Sequence, residues 1–89
     1  MNKDNFLNRV RLRHIQCFVA VAQEQNLGKA AERLNLSQPA VSKTLVELEE
    51  MADTILVERG RFGARLTPDG ELLLSHCVSV LDALEAAQR

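Results

Sequence analysis

The segment 27–50 constrains the fold more strongly than any other part of the chain, because it contains two helical patterns separated by a very short break. The first pattern covers residues 28–34, where small and apolar residues fall on one side. The second begins at Ser37, and its apolar residues recur at spacings of four and three. Only residues 35–36 separate the two patterns, and a connection this short fixes the angle at which the helices cross.

The residues at the start of the second pattern favour a helix that begins abruptly. Ser37 is a good N-cap, because its hydroxyl oxygen accepts a hydrogen bond from an unpaired N–H group of the first turn. Pro39 follows within that turn, where a missing N–H costs nothing and a fixed φ suits the helix. Two helices joined by such a corner, filled by Leu36, form a helix-turn-helix, whose second helix typically enters the major groove of DNA.

Composition limits the class of protein. The 89 residues make one domain with a modest core, and the proportions of apolar (46%) and charged (26%) residues are those of a soluble globular protein. No apolar run approaches the roughly 20 residues of a membrane span, and no signal peptide follows Met1. Cys17 and Cys77 lack the spacing of metal ligands and fall within apolar helical patterns. They are therefore predicted to be buried free thiols in the reducing cytoplasm, with no metal and no cofactor.

The distribution of charge favours a polyanionic partner more than the net charge of −1 does. Residues 1–43 carry a net charge of +4 and residues 59–65 carry +3, whereas residues 44–58 carry −5 and residues 66–89 carry −3. Basic residues thus flank the start of the second motif helix and reappear in one loop. Without the helical motif this pattern would describe only a solvated mixed surface; with it, the pattern indicates DNA binding through one face.

Further segments predict a small winged fold around the motif. A helix is predicted over residues 11–25 from apolar residues at helical spacing, whereas residues 1–8 are expected to fray. The apolar run 55–57 is expected to pair with residues 65–67, because two glycines between them allow a tight hairpin. A hairpin in this place is a wing. Its arginines are then available to phosphates or to a minor groove: Arg59, Arg61 and Arg65.

The last helix is predicted to begin with Thr67 as its N-cap and Pro68 at its first position. Its apolar residues form two adjacent stripes, and one stripe is enough to cover the core of so small a domain. The second stripe predicts a partner, most simply the same helix of a second copy, although packing of both stripes within one monomer is the alternative. The residues assigned to the dimer contact are Leu73, Leu74, Cys77, Val78, Leu81 and Leu84.

Several stretches resemble LysR-type transcriptional regulators, and the similarity extends from Leu12 to Arg89. They are FVAVAQEQNL, KAAERLNLSQPAVSKTLVELEE and LVERGRFGARLTPDG, together with the helix that follows. In detail, SKTLVELEE and RGRFGAR look most like activators of protocatechuate operons. The resemblance implies a mostly α winged helix-turn-helix over residues 1–67 and a linker helix for dimerisation over residues 68–89. In the family an effector-binding domain follows, and it lies outside this chain.

The same resemblance implies a function. Members of the family are bacterial regulators that bind interrupted inverted repeats in promoters as dimers and respond to a small aromatic or organic acid; the parent protein of this chain would also be able to contact RNA polymerase. Three positions depart from the family pattern. Gly28 offers no hydroxyl where Ser or Thr usually caps the first motif helix, Asp53 stands where Gly usually ends the second, and Phe62 replaces a basic residue of the wing.

The residues predicted to contact DNA lie at the start of the second motif helix and in the wing. The Gln38 amide can bond to adenine N6 and N7 or to other base edges, and Lys43 suits guanine or phosphate. The full set is Ser37, Gln38, Pro39, Ala40, Ser42, Lys43, Arg59, Arg61 and Arg65. For three more arginines, phosphate contact and plain solvation are equal alternatives: Arg9, Arg11 and Arg13.

Two other classes of function compete with DNA binding. An enzyme is not expected, because the chain has no Cys, His and Asp constellation, no glycine-rich phosphate loop after a strand and no paired carboxylates in an apolar setting. A protein-interaction module is the stronger alternative, since helix-turn-helix folds and long helices also mediate assembly. Binding to random duplex DNA that falls steeply with salt distinguishes the two.

Overall fold

The structure, a computed structural model, describes residues 3–88, which form five helices and one two-stranded hairpin. In chain order the elements are α1 (Lys3–Arg9), α2 (Leu12–Glu24), α3 (Leu27–Leu34), α4 (Gln38–Ala52), β1 (Val57–Gly60), β2 (Gly63–Leu66) and α5 (Pro68–Ala87). Helices α2, α3 and α4 pack against one another, the hairpin follows α4, and α5 packs back on α2. The predicted fold class, a mostly α winged helix-turn-helix followed by a long C-terminal helix, is confirmed.

Helix α1 shows that the expectation of a frayed N-terminal segment was wrong from residue 3 onward; residues 1 and 2 lie outside the described residues. Phe6 is half-buried and packs against the core. The Val10 N–H donates to the Phe6 carbonyl oxygen at 2.9 Å and so completes the last turn. A tertiary contact thus stabilises a helix of seven residues that would be too short to persist alone.

The corner between α3 and α4 is formed by one left-handed residue and one side-chain cap. Asn35 ends α3 with a φ of 57°, and the Leu36 N–H donates to the Ala31 carbonyl oxygen at 2.9 Å. Ser37 then caps α4 as predicted, because its Oγ accepts a hydrogen bond from the Ala40 N–H at 3.2 Å. Leu36 is half-buried and packs against the core, which confirms that it fills the corner.

Two of the departures from the family pattern are accommodated locally. Asn26 caps α3 in place of a hydroxyl, because its Oδ1 accepts a hydrogen bond from the Lys29 N–H at 2.8 Å. Asp53 ends α4 in the left-handed region with a φ of 57°, a conformation that glycine adopts at lower cost. The helix therefore ends at the same place without the glycine.

The core lies where α2, α3 and α4 meet. Phe18 of α2 and Val41 and Leu45 of α4 have no exposed surface. Helix α3 approaches this core through two small buried residues, Ala30 and Ala31, as the sequence predicted. The two cysteines are free and buried, which confirms that prediction as well.

The strands of the wing extend further into the arginine segment than predicted. The register pairs Val57 with Leu66 and Gly60 with Gly63, so only Arg61 and Phe62 remain at the tip. The Gln25 carbonyl oxygen accepts a hydrogen bond from the Ala64 N–H at 3.0 Å, which ties the second strand to the end of α2. Glycine at position 63 is required, because its φ is +100°.

Helix α5 begins as predicted, since the Thr67 Oγ1 accepts a hydrogen bond from the Gly70 N–H at 3.0 Å. The assignment of its faces needs a correction. Cys77 is only 5% exposed and belongs to the core of the monomer, so it is not available as a dimer contact. Four predicted contact residues are half-buried and also pack against that core: Leu73, Leu74, Val78 and Leu81.

The exposed apolar residues of α5 lie on a different side. Leu72 is 67% exposed, Val80 41% and Leu84 52%, so only Leu84 of the predicted set lies on the open stripe. The predicted contact set therefore combines residues that pack on the core of the monomer with one exposed residue, Leu84, and it omits the exposed Leu72 and Val80. None of the described helices, α5 included, has both the length and the apolar character needed to cross a membrane.

Candidate nucleic-acid interface

The first turn of α4 presents a mixed polar and apolar edge. Gln38 and Pro39 are exposed, and Ala40 is half-buried. Ser37 uses its oxygen to accept the hydrogen bond that caps the helix, so its hydroxyl hydrogen is available to an acceptor outside the protein. This turn therefore offers an amide, a hydroxyl donor and an apolar surface. Such groups contact base edges, phosphates and thymine methyl groups.

Ser42 and Lys43 extend the same edge by one turn. Val41 and Leu45 are fully buried, so Ser42 and Lys43 fall on the outer side of α4, where Lys43 is exposed and Ser42 half-buried. The Arg59 Nη1 donates a hydrogen bond to the Ser42 Oγ at 3.0 Å. This bond joins the first strand of the wing to the outer side of α4 and makes the two parts one continuous surface.

The predicted wing arginines are all exposed on this hairpin. Arg59 contacts α4, Arg61 lies at the tip beside Phe62, and Arg65 lies on β2. The Arg65 Cζ is 3.6 Å from the centroid of the Phe62 ring. The structure thus brings together the helix residues and the arginines that the sequence predicted, although the stacking of Arg65 on Phe62 was not foreseen.

Glu49 fixes the wing to α4, a role that the sequence analysis missed. Its Oε2 accepts hydrogen bonds from the N–H groups of Leu56 at 2.8 Å and Val57 at 3.1 Å. These two residues are buried, so their N–H groups depend on the carboxylate as an acceptor. Nothing in the sequence distinguishes Glu49 from the other acids of residues 44–58, for which solvation is the ordinary expectation.

His14 connects α2 to α4, and both of its ring nitrogens have hydrogen-bond partners. It is 8% exposed; its Nδ1 accepts a hydrogen bond from the Arg11 N–H at 2.8 Å, and its Nε2 lies 3.2 Å from the Glu47 Oε1. Because a backbone N–H only donates, the neutral ring carries its proton on Nε2, facing the carboxylate. Two acids of α4 thus connect this helix to other elements, Glu47 to His14 of α2 and Glu49 to the start of the wing.

The two thiols are not reactive groups of this surface. Burial raises the pKa of Cys77 above its ordinary value of 9.0, and burial also raises the pKa of Cys17, against the opposing effects of a hydrogen bond with Thr44 and the charge of Arg13. A thiol that stays protonated is a poor nucleophile. Among the described residues, no group of three His, Cys, Asp or Glu side chains is placed to hold a metal ion.

The N-terminal arginines remain a prediction with two alternatives. Arg9 ends α1, Arg11 precedes α2 and Arg13 lies in its first turn, and all three are exposed. Arg33 differs from them, because its Nη1 lies 3.3 Å from the Glu24 Oε2 in a surface ion pair of small energetic worth.

A groove of about 400 Å³ separates the C-terminal half of α5 from α2 and α3. Its rim carries ionisable groups of both signs, Arg33 on one side and Asp82 and Glu85 on the other. Three glutamines also line it, namely Gln16, Gln23 and Gln88, and the remaining lining is apolar: Leu12, Val19, Leu34, Val78, Leu81 and Leu84. Leu12 and Leu84 are about half exposed, so the groove leaves apolar surface uncovered in the monomer.

Known proteins similar to this chain were found by family, by sequence and by structure. The bacterial regulatory helix-turn-helix proteins of the lysR family match residues 12–71. The transcriptional regulator YdcI of Escherichia coli K12 is 61% identical over 84 residues, which cover 94% of this chain and 27% of that protein. PcaQ of Agrobacterium fabrum is 43% identical over 79 residues, 89% of this chain and 25% of that protein. AlsR of Bacillus subtilis is also 43% identical, over 84 residues, so the comparison does not single out PcaQ.

Solved structures agree with this result. A crystal structure of the BenM DNA-binding domain with catB site 1 DNA has a TM-score of 0.84 and 35% identity, and the match covers 88% of both chains. The chain spans about a quarter of the length of the curated relatives it matches. From the matched residues and the shared fold, the chain belongs to the lysR family of bacterial regulatory helix-turn-helix proteins.

Proposed function

We propose that this chain binds duplex DNA in a sequence-specific manner, with α4 in the major groove and the wing on the adjacent backbone or minor groove. The observation that carries this proposal is the hydrogen bond from Arg59 to Ser42, which makes the outer side of α4 and the basic hairpin one surface. The geometry matches a solved domain that is bound to DNA, which supports the same placement of α4 here.

Each exposed residue of this surface has a chemically suited role. The Gln38 amide is able to bond a base edge in two places, and Pro39 and Ala40 offer apolar contact to a thymine methyl group. Ser37 and Ser42 retain hydroxyl hydrogens for phosphate or base acceptors, since their oxygens already accept from Ala40 and Arg59. Charged contacts to phosphate or guanine come from Lys43, Arg59, Arg61 and Arg65.

We further propose that the chain acts as a homodimer through α5. The apolar groove between α5 and the helices α2 and α3 fits an apolar helix stripe, and α5 itself exposes one at Leu72, Val80 and Leu84. A second copy that inserts this stripe covers both surfaces at once, and the two-fold symmetry would place two α4 helices on the two halves of an interrupted inverted repeat.

The wider role concerns the whole protein from which the chain comes. We infer a cytoplasmic transcription regulator in which residues 1–67 bind DNA and residues 68–89 link and dimerise. A further domain would bind a small aromatic or organic acid, and RNA polymerase would be a partner. The family and the two buried free cysteines support this inference.

A competition assay on DNA selected from a random pool tests the base contact. Gln38→Ala is expected to cost ~1–3 kcal/mol on the selected site and to relax the preference at one base pair. Asn8→Ala removes a side-chain amide from an exposed position of α1 and is expected to leave the preference intact. If Gln38→Ala keeps the wild-type preference, α4 does not read bases through this amide.

The interaction module remains the second candidate, because the exposed stripe of α5 would serve assembly without DNA. Sedimentation at tens of micromolar is expected to show a dimer, and Leu84→Asp is expected to give a folded monomer that binds half-sites weakly. Leu84 is the better probe than Leu81, which packs against its own core. A wild-type dimer that shows no DNA binding even at low salt would favour the interaction module.

A further inference from the structure

One aromatic side chain lies exposed at the tip of the basic hairpin. Phe62 is 53% exposed, whereas Phe18 is fully buried and Phe6 packs against the core, and these are the three aromatic residues of the chain. A single exposed apolar residue is ordinary on a protein surface and needs no explanation. The ring of Phe62 is unusual because of how it is held.

The hairpin orders the ring from two directions. The ring lies over the Gly60 backbone, where a Cβ atom would come within 2.8 Å of the Phe62 Cε1. The Arg65 Cζ lies 3.6 Å from the ring centroid, which is a cation–π contact. The backbone beneath is fixed by the Gly60–Gly63 pair and by the bond from Ala64 to the end of α2. The ring and the guanidinium are therefore in place before any partner binds.

The surroundings of the ring indicate the chemistry of that partner. Residues 57–66 contain three arginines and one acid, Glu58, so the ring lies in a positive field. Arg59 places the hairpin beside the outer side of α4. The ring and the arginines together suit a partner that has two anionic edges with an apolar surface between them. The minor groove of duplex DNA has this character, since deoxyribose faces form its walls and phosphates form its edges.

We propose that Phe62 and Arg65 act as one stacked unit that enters the minor groove next to the α4 site, which rests on the function proposed above. The ring packs against the deoxyribose faces, as apolar side chains of other minor-groove proteins pack against sugars and bases. The guanidinium is covered on one face by the ring, and its edge N–H groups donate to phosphate or base acceptors. A narrow A·T-rich groove holds both groups best, because its walls are close and its potential is strongly negative.

Salt dependence separates this apolar contact from an ordinary ionic one. We would titrate the chain against a labelled duplex that carries an A-tract and against one of mixed sequence, over a range of salt. Phe62→Ala is expected to weaken binding to the A-tract duplex about tenfold without changing the salt slope, since it removes apolar burial. Arg61→Ala is expected to reduce the slope by about one. Affinity of Phe62→Ala within twofold of the wild type at every salt concentration would overturn the proposal.

A fluorescent variant tests the position of the ring directly. The chain contains no Trp and no Tyr, so Phe62→Trp introduces a single fluorophore at the tip. Ile55→Trp is a matched control, because Ile55 is 59% exposed at the base of the same hairpin. On saturation with the A-tract duplex, Phe62→Trp is expected to become shielded from acrylamide, and Ile55→Trp to stay accessible. A Trp at position 62 that stays accessible in the complex would also overturn the proposal.

The wild-type titration distinguishes a failure of the proposed DNA binding from a failure of the Phe62–Arg65 unit. Absence of salt-sensitive binding by the wild-type chain would refute the proposed function itself. Binding by the wild type together with equal binding by Phe62→Ala would refute only the role of the stacked unit and leave α4 and the wing arginines in place.

Discussion

Replacing Glu49 by alanine removes the carboxylate through which α4 holds the start of the wing. Its Oε2 accepts hydrogen bonds from the N–H groups of Leu56 and Val57, at 2.8 and 3.1 Å. Both of these residues are buried, and in the variant their N–H groups would lose this acceptor. We therefore expect the wing to loosen while the three-helix core stays intact.

The size of the effect follows from the exposure of the carboxylate. A buried hydrogen bond to a charged group contributes about 1.5–3 kcal/mol, and an unsatisfied donor costs a similar amount. Glu49 is only half-buried, so water replaces part of the loss, and we expect about 2–3 kcal/mol for both bonds together. A domain of this length has roughly 4–13 kcal/mol of total stability. The melting temperature should then fall by about 10–20 °C.

Denaturant unfolding and amide hydrogen exchange together test this reasoning. Glu50→Ala is the control, because it removes the same charge from an exposed neighbouring position and should stay within about 0.5 kcal/mol of the wild type. Glu49→Gln keeps an oxygen acceptor and should fall between the two. Exchange should accelerate in β1 and β2 of Glu49→Ala and remain slow in α2 and α4. Unchanged protection of the wing amides would show that the carboxylate does not hold the wing.

Three further predictions concern the fold that carries the interface. Asp53→Gly should stabilise the chain by up to about 1 kcal/mol in denaturant unfolding, because it relieves a left-handed residue; a loss of stability would contradict this. Leu45→Ala should cost about 2–5 kcal/mol by the same measurement, since Leu45 is fully buried, and a cost below 1 kcal/mol would show a core that collapses around the cavity. Burial raises the pKa of Cys17 and Cys77, so the unfolded thiols ionise first, and the free energy of unfolding should fall as pH rises above the ordinary value of 9.0. Thiol labelling should accordingly be slow in the native chain and fast in denaturant, and equal rates would refute the burial.

The helix-turn-helix was predictable because its determinants are local. Ser37 and Pro39 define a helix start through their own hydrogen bonding and fixed φ, and the short break before them leaves few geometries for the corner. The apolar residues of α4 recur at a helical period, which predicts which side faces the core and therefore which side remains for DNA. Local chemistry and helical period together predict which residues form the outer side of α4.

The features that the sequence did not predict depend on contacts between residues that are distant in the chain. Helix α1 exists because Phe6 packs on the core, and the sequence around it carries no strong helical period. The wing strands pair Val57 with Leu66 and Gly60 with Gly63, instead of the run 55–57 with residues 65–67, and at their base the N–H groups of Leu56 and Val57 donate to the distant Glu49. On α5, a stripe defined by spacing alone does not reveal which side meets α2, so Cys77 was assigned to the wrong surface.

The net charge of −1 is a poor guide to the surface charge, because contacts between distant residues engage some of the acids. Several acids have partners within the chain: Glu47 with His14, Glu49 with two backbone N–H groups, and Glu24 with Arg33 at the surface. The wing arginines instead remain exposed, and even Arg59 and Arg65 contact groups that leave their charge unneutralised, a hydroxyl and a ring. A formal sum counts an acid that holds the fold and an arginine that faces solvent as equal. The potential that an approaching DNA backbone meets is set by the exposed, unneutralised groups, and these are positive along the wing beside α4.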